Sequence, residues 1–72
     1  MNTLRQLREA SGMNQSALAK ALNVHKSTVS LWESGKRSVT IANARLLADA
    51  LGCSMGDVVA AAEASAQADQ PA

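Results

Sequence analysis

Lys26, Ser27, Ser30, Leu31 and Ser34 sit within the short stretch KSTVSLWES. On a helix of 3.6 residues per turn they fall on one side, while Val29, Trp32 and Glu33 fall on the other. The first side carries one ammonium donor, three hydroxyls that both donate and accept, and one aliphatic side chain. Such a face has little to bury and much to offer a polar surface. The chain holds one histidine, His25, and one cysteine, Cys53. A lone histidine without a second ligand at suitable spacing does not make a metal site, and no cysteine cluster exists to make one. No paired carboxylates suggest acid–base work, so an enzyme finds no support and no cofactor is implied. Cys53 reads as a small apolar filler rather than a reactive thiol. The chemistry on offer is hydrogen-bonded recognition.

The elements around this face can be placed from their punctuation. Thr3 with Gln6 fits a capping box for a first helix over Leu4–Ala10, and Gly12 suits the position just past its end. Asn14 can cap a second helix, Gln15–Leu22, and Asn23 tolerates the left-handed conformation that ends helices. A third helix runs from Lys26 to Ser34 and stops at Gly35. GKRSV is then a loop. Thr40 caps a fourth helix, Ile41–Ala50, which turns Ile41, Ala44, Leu47, Ala48 and Leu51 inward. Gly52 closes it. Ser54 with Asp57 opens a short fifth helix carrying Met55, Val58 and Val59, although Gly56 lies inside it. The closing AAEASAQADQPA is Ala-rich without a large apolar residue, so it is expected to fray or stay disordered. The organisation expected is one domain over 1–59 and a flexible tail over 60–72.

At 72 residues the chain is a single small domain, and 47% of it is hydrophobic. That fraction is built from Ala, Leu and Val, with one Trp and no Phe or Tyr. Such a core suits short packed helices, so the expected class is all-α. The formal charge of +1 hides an asymmetry. Through Val59, seven Lys or Arg stand against four Asp or Glu, while the remainder adds only Glu63 and Asp69. The basic part permits a nucleic-acid partner. No apolar run approaches the roughly 18–20 residues that span a membrane and no signal peptide is visible, so the cytoplasm is the expected compartment. Helices two and three can dock through Leu18, Ala19 and Leu22 against Val29 and Trp32. Ala19 is small enough to let the backbones cross closely, and Val24 plugs the turn. Two short helices, a tight turn and a polar outer face on the second form the geometry that lays a helix into a DNA major groove.

The chain also resembles a known family, the phage repressor and Cro class of helix-turn-helix regulators, called XRE. The resemblance runs from about Leu4 to Val59 and rests on GMNQSALAKAL, STVSLWESGKR and LADALGCSMGDVV. Gln15 opens helix two, Leu18, Ala19, Leu22, Val24, Val29 and Trp32 hold packing positions, and Gly35 closes helix three. Asn23 departs from the family's frequent Gly, and Ser38–Val39 from its frequent Pro. The resemblance implies a five-helix, lambda-repressor-like DNA-binding domain. It sets Lys26, Ser27, Ser30 and Leu31 against bases, the alternative being a solvated helix face. Lys26 can donate to guanine, the serines bond either base type, and Leu31 meets a thymine methyl. It sets Asn14, Gln15, His25, Ser34, Lys36 and Arg37 near phosphates; Asn14 and His25 can equally serve as caps, and Gln15, Lys36 and Arg37 can be plain surface groups. It pairs Arg8 with Glu33, which would otherwise be independent surface charges.

The expected function is a Cro-like transcriptional repressor that occupies a two-fold operator on double-stranded DNA. Leu46, Met55, Val58 and Val59 are more than a small core can cover. A homodimer around helix five is therefore expected, weak in solution and favoured on DNA. On that reading the chain can be cut after Val59 with little loss of folding. The competing reading is a protein-interaction module of the same fold, such as an antitoxin-type partner.

Overall fold

The computed structural model describes residues 3–68, which form α1 (Leu4–Ala10), α2 (Gln15–Leu22), α3 (Lys26–Glu33), α4 (Ile41–Leu51) and α5 (Met55–Ala68). Four of the five starts are set by a side chain that accepts an otherwise orphaned amide. Thr3 Oγ1 accepts the Gln6 N–H at 3.2 Å, and Gln6 Oε1 accepts the Thr3 N–H at 2.8 Å in return. Asn14 Oδ1 takes the Ala17 N–H at 2.7 Å, Thr40 Oγ1 that of Asn43 at 3.2 Å, and Ser54 Oγ that of Asp57 at 3.1 Å. His25 precedes α3 but makes no side-chain cap hydrogen bond, so its capping role is not realised.

The turn between α2 and α3 depends on Asn23, which stands at φ 58° and ψ 44°. That left-handed residue lets the Val24 N–H reach back to the Ala19 carbonyl at 3.0 Å and the Asn23 N–H to that of Lys20 at 3.2 Å. The chain passes from α2 to α3 within three residues, and half-buried Val24 packs against the core.

The core joins all five helices: Leu4, Leu18, Ala19, Leu22, Val29, Trp32, Ala44, Leu47, Ala48, Val58 and Ala61 form one buried cluster. Two expectations about side-chain direction are corrected. Ile41 is 78% exposed rather than inward. It continues the Ala44–Leu47–Ala48 stripe at the right spacing, but it stands in the first turn of α4, where the stripe has run past the layer it packs on. Val58, counted among the surplus apolar residues of helix five, is fully buried, and its neighbour Val59 is the exposed one at 46%.

The larger difference lies beyond Val59. Residues 60–68 continue α5 instead of fraying, while residues 69–72 of the expected tail lie outside the described part. Ala61, Ala64 and Ser65 are buried. Ser65 Oγ donates to the Ala61 carbonyl at 2.9 Å and accepts the N–H of Leu4 at 3.0 Å, so helix five supplies a cap for the first turn of helix one. Small side chains bury little area each, but they let neighbouring backbones approach closely and they favour helix. That combination orders a segment in which no large apolar residue occurs.

Candidate nucleic-acid interface

Burial of Val29 and Trp32, at 1% and 2% exposure, settles which way α3 faces. Lys26, Ser27 and Ser30 are exposed on its outer side, and Leu31 is half-buried at the edge of that side rather than fully open. Two shallow depressions flank this face. Lys26 borders one of them together with Arg8, Asn14, Gln15 and Ser16. Ser30 and Ser34 border the other with Arg5, Arg8, Gln15 and Glu33. They meet at Arg8 and Gln15, so the outer face of α3 and the amino end of α2 form one continuous surface. The first amides of α2 have no acceptor within the helix and carry the positive end of its dipole, which favours an anion there.

A buried polar cluster fixes the angle between these parts. Arg8 Nε donates to Glu33 Oε2 at 2.6 Å and Arg8 Nη2 to Glu33 Oε1 at 3.3 Å, a forked pair with side chains 10% and 7% exposed. Arg8 Nη1 donates to the Met13 carbonyl at 2.8 Å, and Gln15 Nε2 to Glu33 Oε1 at 3.0 Å. The cluster ties α1, the α1–α2 turn, the start of α2 and the end of α3 together. The hydrogen bond to Glu33 raises the Arg8 pKa above its ordinary value, with burial opposing and the Glu33 charge, then that of Glu9, adding to the rise. No buried side-chain polar atom among the described residues is left without a partner. Removing one member would strand the other, at a cost of about 3 kcal/mol, near the low end for a buried pair because both side chains keep slight exposure. Arg8→Met and Glu33→Met should therefore each lower stability by about that much, while the double variant loses less than their sum. Thermal melts of the four proteins measure that coupling.

The other expected site residues are distributed unevenly. Asn14 has committed its carbonyl oxygen to the cap, and its amide hydrogens remain available. Gln15 has committed one of its two amide hydrogens to Glu33. Ser34 Oγ donates to the Leu31 carbonyl at 3.2 Å, so its only proton points back into the helix and is not offered to a phosphate. His25 is exposed at the start of α3. Lys36 and Arg37 follow the opposite end of α3; both are exposed, and among the described residues neither forms an ion pair. Arg5 has no role in the sequence reading. It borders the Ser30 depression while making an exposed ion pair with Glu9 at 3.5 Å. Its signal lay one helical turn away: it precedes Arg8 by three residues and so shares a side of α1 with it. The half-buried Cys53 packs against the core, and burial pushes its thiol pKa up, with the charge of Asp57 adding to the rise. Among the described residues no group of His, Cys, Asp and Glu side chains could hold a metal ion, and no helix is long and apolar enough to cross a membrane.

A family model described as helix-turn-helix matches residues 4–58. A search of curated proteins returned no match. The matched segment spans α1 to the start of α5 and contains the α2–turn–α3 unit whose outer face is described above. With that match covering most of its length, the chain belongs to the XRE-type helix-turn-helix family of DNA-binding transcription regulators.

Proposed function

We propose that this regulator is a Cro-like repressor acting in the cytoplasm, which binds a two-fold operator as a homodimer and represses by occupying it. The observation that carries the reading is the continuous surface formed by the exposed face of α3 and the amino end of α2. In that reading Lys26, Ser27, Ser30 and Leu31 meet base edges. Asn14, the start of α2 at Gln15, His25, Lys36 and Arg37 meet phosphates, which set register and affinity without reading sequence. A single short helix reads only a few base pairs, which favours two copies on one duplex. The large apolar side chains available for self-association are Ile41 and Leu46 of α4 and Val59 of α5, not Val58.

Selecting bound sites from random duplexes tests the reading. A repressor of this kind enriches a two-fold sequence, and a pure protein-interaction module of the same fold enriches none. On the selected site, Lys26→Ala or Ser27→Ala should weaken binding by roughly 1–3 kcal/mol for each base interaction removed, with far less change on random DNA. Equal weakening on both kinds of DNA would move these side chains to the phosphate set.

A further inference from the structure

α4 turns one side to the core and leaves the other open. Ala44, Leu47 and Ala48 are buried, while Ala42, Arg45, Leu46 and Asp49 are exposed. These four recur at i, i+3, i+4 and i+7, the spacing with which one helix docks on another. Leu46 is 46% exposed, and Ile41 edges the same side at 78%. A helix that had only to cover this core would carry polar residues there instead.

The two charges on the stripe are unanswered. Arg45 and Asp49 stand one turn apart, yet among the described residues neither forms an ion pair. Arg5 and Glu9, at the same spacing on α1, approach to 3.5 Å; aspartate is one carbon shorter. Asp49 also sits in the last turn of α4, where the helix dipole disfavours a carboxylate and no basic residue of that turn offsets it. A polyanion laid on the stripe would meet Asp49 as well as Arg45. A second copy of the same stripe, run in the opposite direction, meets each charge with its opposite, because a two-fold contact pairs residue i with j and j with i.

We propose that this stripe is the homodimer contact: α4 of a second copy packs on it antiparallel, about a two-fold axis at Leu46, with Arg45 of each copy paired to Asp49 of the other. The proposal rests on the homodimer reading above and moves its surface from helix five to α4. With the axis at Leu46 the two leucines meet. Arg45 and the second copy's Asp49 then lie two residues apart along the helix, about 3 Å, which the arginine side chain spans.

Charge reversal in the full-length chain, read by sedimentation over a range of concentrations, is the experiment. Arg45→Asp and Asp49→Arg each place like charges together at both ends of the contact. Each alone should raise the dimer dissociation constant about tenfold or more, as two exposed ion pairs turned into repulsions would. The double variant should return to the parental value. So should an equal mixture of the two single variants, since one chain then carries acid at both positions and the other carries base. Both positions are exposed, so every variant should melt like the parent. If the parent associates only on DNA, the same cycle is read as cooperativity on the selected two-fold site. A mixture that stays monomeric overturns the proposal, and so do single variants that dimerise like the parent; in that case a Val59→Asp chain that fails to dimerise places the contact on α5. A parent that is monomeric in solution and fills the two-fold site without cooperativity removes the homodimer reading itself, and the proposal with it.

Discussion

Trp32→Ala should abolish the cooperative thermal transition of this protein in the absence of DNA. Trp32 is the chain's one tryptophan, with no Phe or Tyr to share the work, and it is 2% exposed. It belongs to one buried cluster with Leu4, Leu18, Val29 and Leu47, against which Leu51 packs, and these come from α1, α2, α3 and α4. It also lines a groove under the Gly35 turn, next to Ala44 and Ala62. Truncation to alanine leaves a cavity costing roughly 3–5 kcal/mol. A domain of this length has about 4–11 kcal/mol of stability in all. Circular dichroism of the free protein through a thermal ramp is the measurement, since tryptophan fluorescence disappears with the substitution. A variant that melts like the parent and fails only to bind DNA would instead give Trp32 a base-stacking role, which its burial argues against.

The parts of this fold that were legible in the sequence are those governed by local rules. Caps at Thr3, Asn14, Thr40 and Ser54 act on amides three residues away, and Asn23 acts on its own backbone. Position on α3 followed from periodicity because a large aromatic and a β-branched residue mark its inner side. Legibility ended where an outcome depends on distant partners. Nothing near Ile41 in sequence says that the first turn of α4 overshoots the core. Helical spacing alone does not show which of two adjacent valines, Val58 or Val59, falls inward, because that depends on how α5 is rotated against α4 and α1. Ser34 and Gln15 were set near phosphates by resemblance, and the sequence did not show that the Leu31 carbonyl holds the Ser34 hydroxyl and Glu33 one amide hydrogen of Gln15. The Arg8–Glu33 pairing came from resemblance; its links to Met13 and Gln15 came only with the fold.

Residues 60–68 are the instructive miss. Val58, Ala61 and Ser65 follow one another at three and four residues, a helical spacing that is present in the sequence. An expectation that equates burial with large apolar side chains passes over it. In this protein small ones matter through proximity, since they admit the Leu4 amide on one flank and the Gly35 backbone on the other.

Cutting the chain after Val59 should therefore unfold it, contrary to the expectation drawn from composition. The cut removes the buried Ala61, Ala64 and Ser65, worth together about 2–3 kcal/mol at roughly 0.8 kcal/mol per buried carbon. It also removes the hydrogen bond that caps α1, worth about 1 kcal/mol net. What remains of α5 is Met55–Val59, far shorter than a helix that persists without packing, so the fully buried Val58 is put at risk as well, at about 1.5–3 kcal/mol. The total of about 4.5–7 kcal/mol takes up most of the roughly 4–11 kcal/mol that a domain of this length has. A single replacement separates the cap from the bulk of the helix: Ser65→Ala leaves the packing in place and the Leu4 amide buried without its partner, at a cost of about 1–3 kcal/mol. It should melt cooperatively at a lower temperature than the parent, while the truncated chain shows no transition. If the truncated chain instead melts cooperatively within a few degrees of the full one, the last turns of α5 are dispensable, and the hydrogen bond between Leu4 and Ser65 carries no part of the stability.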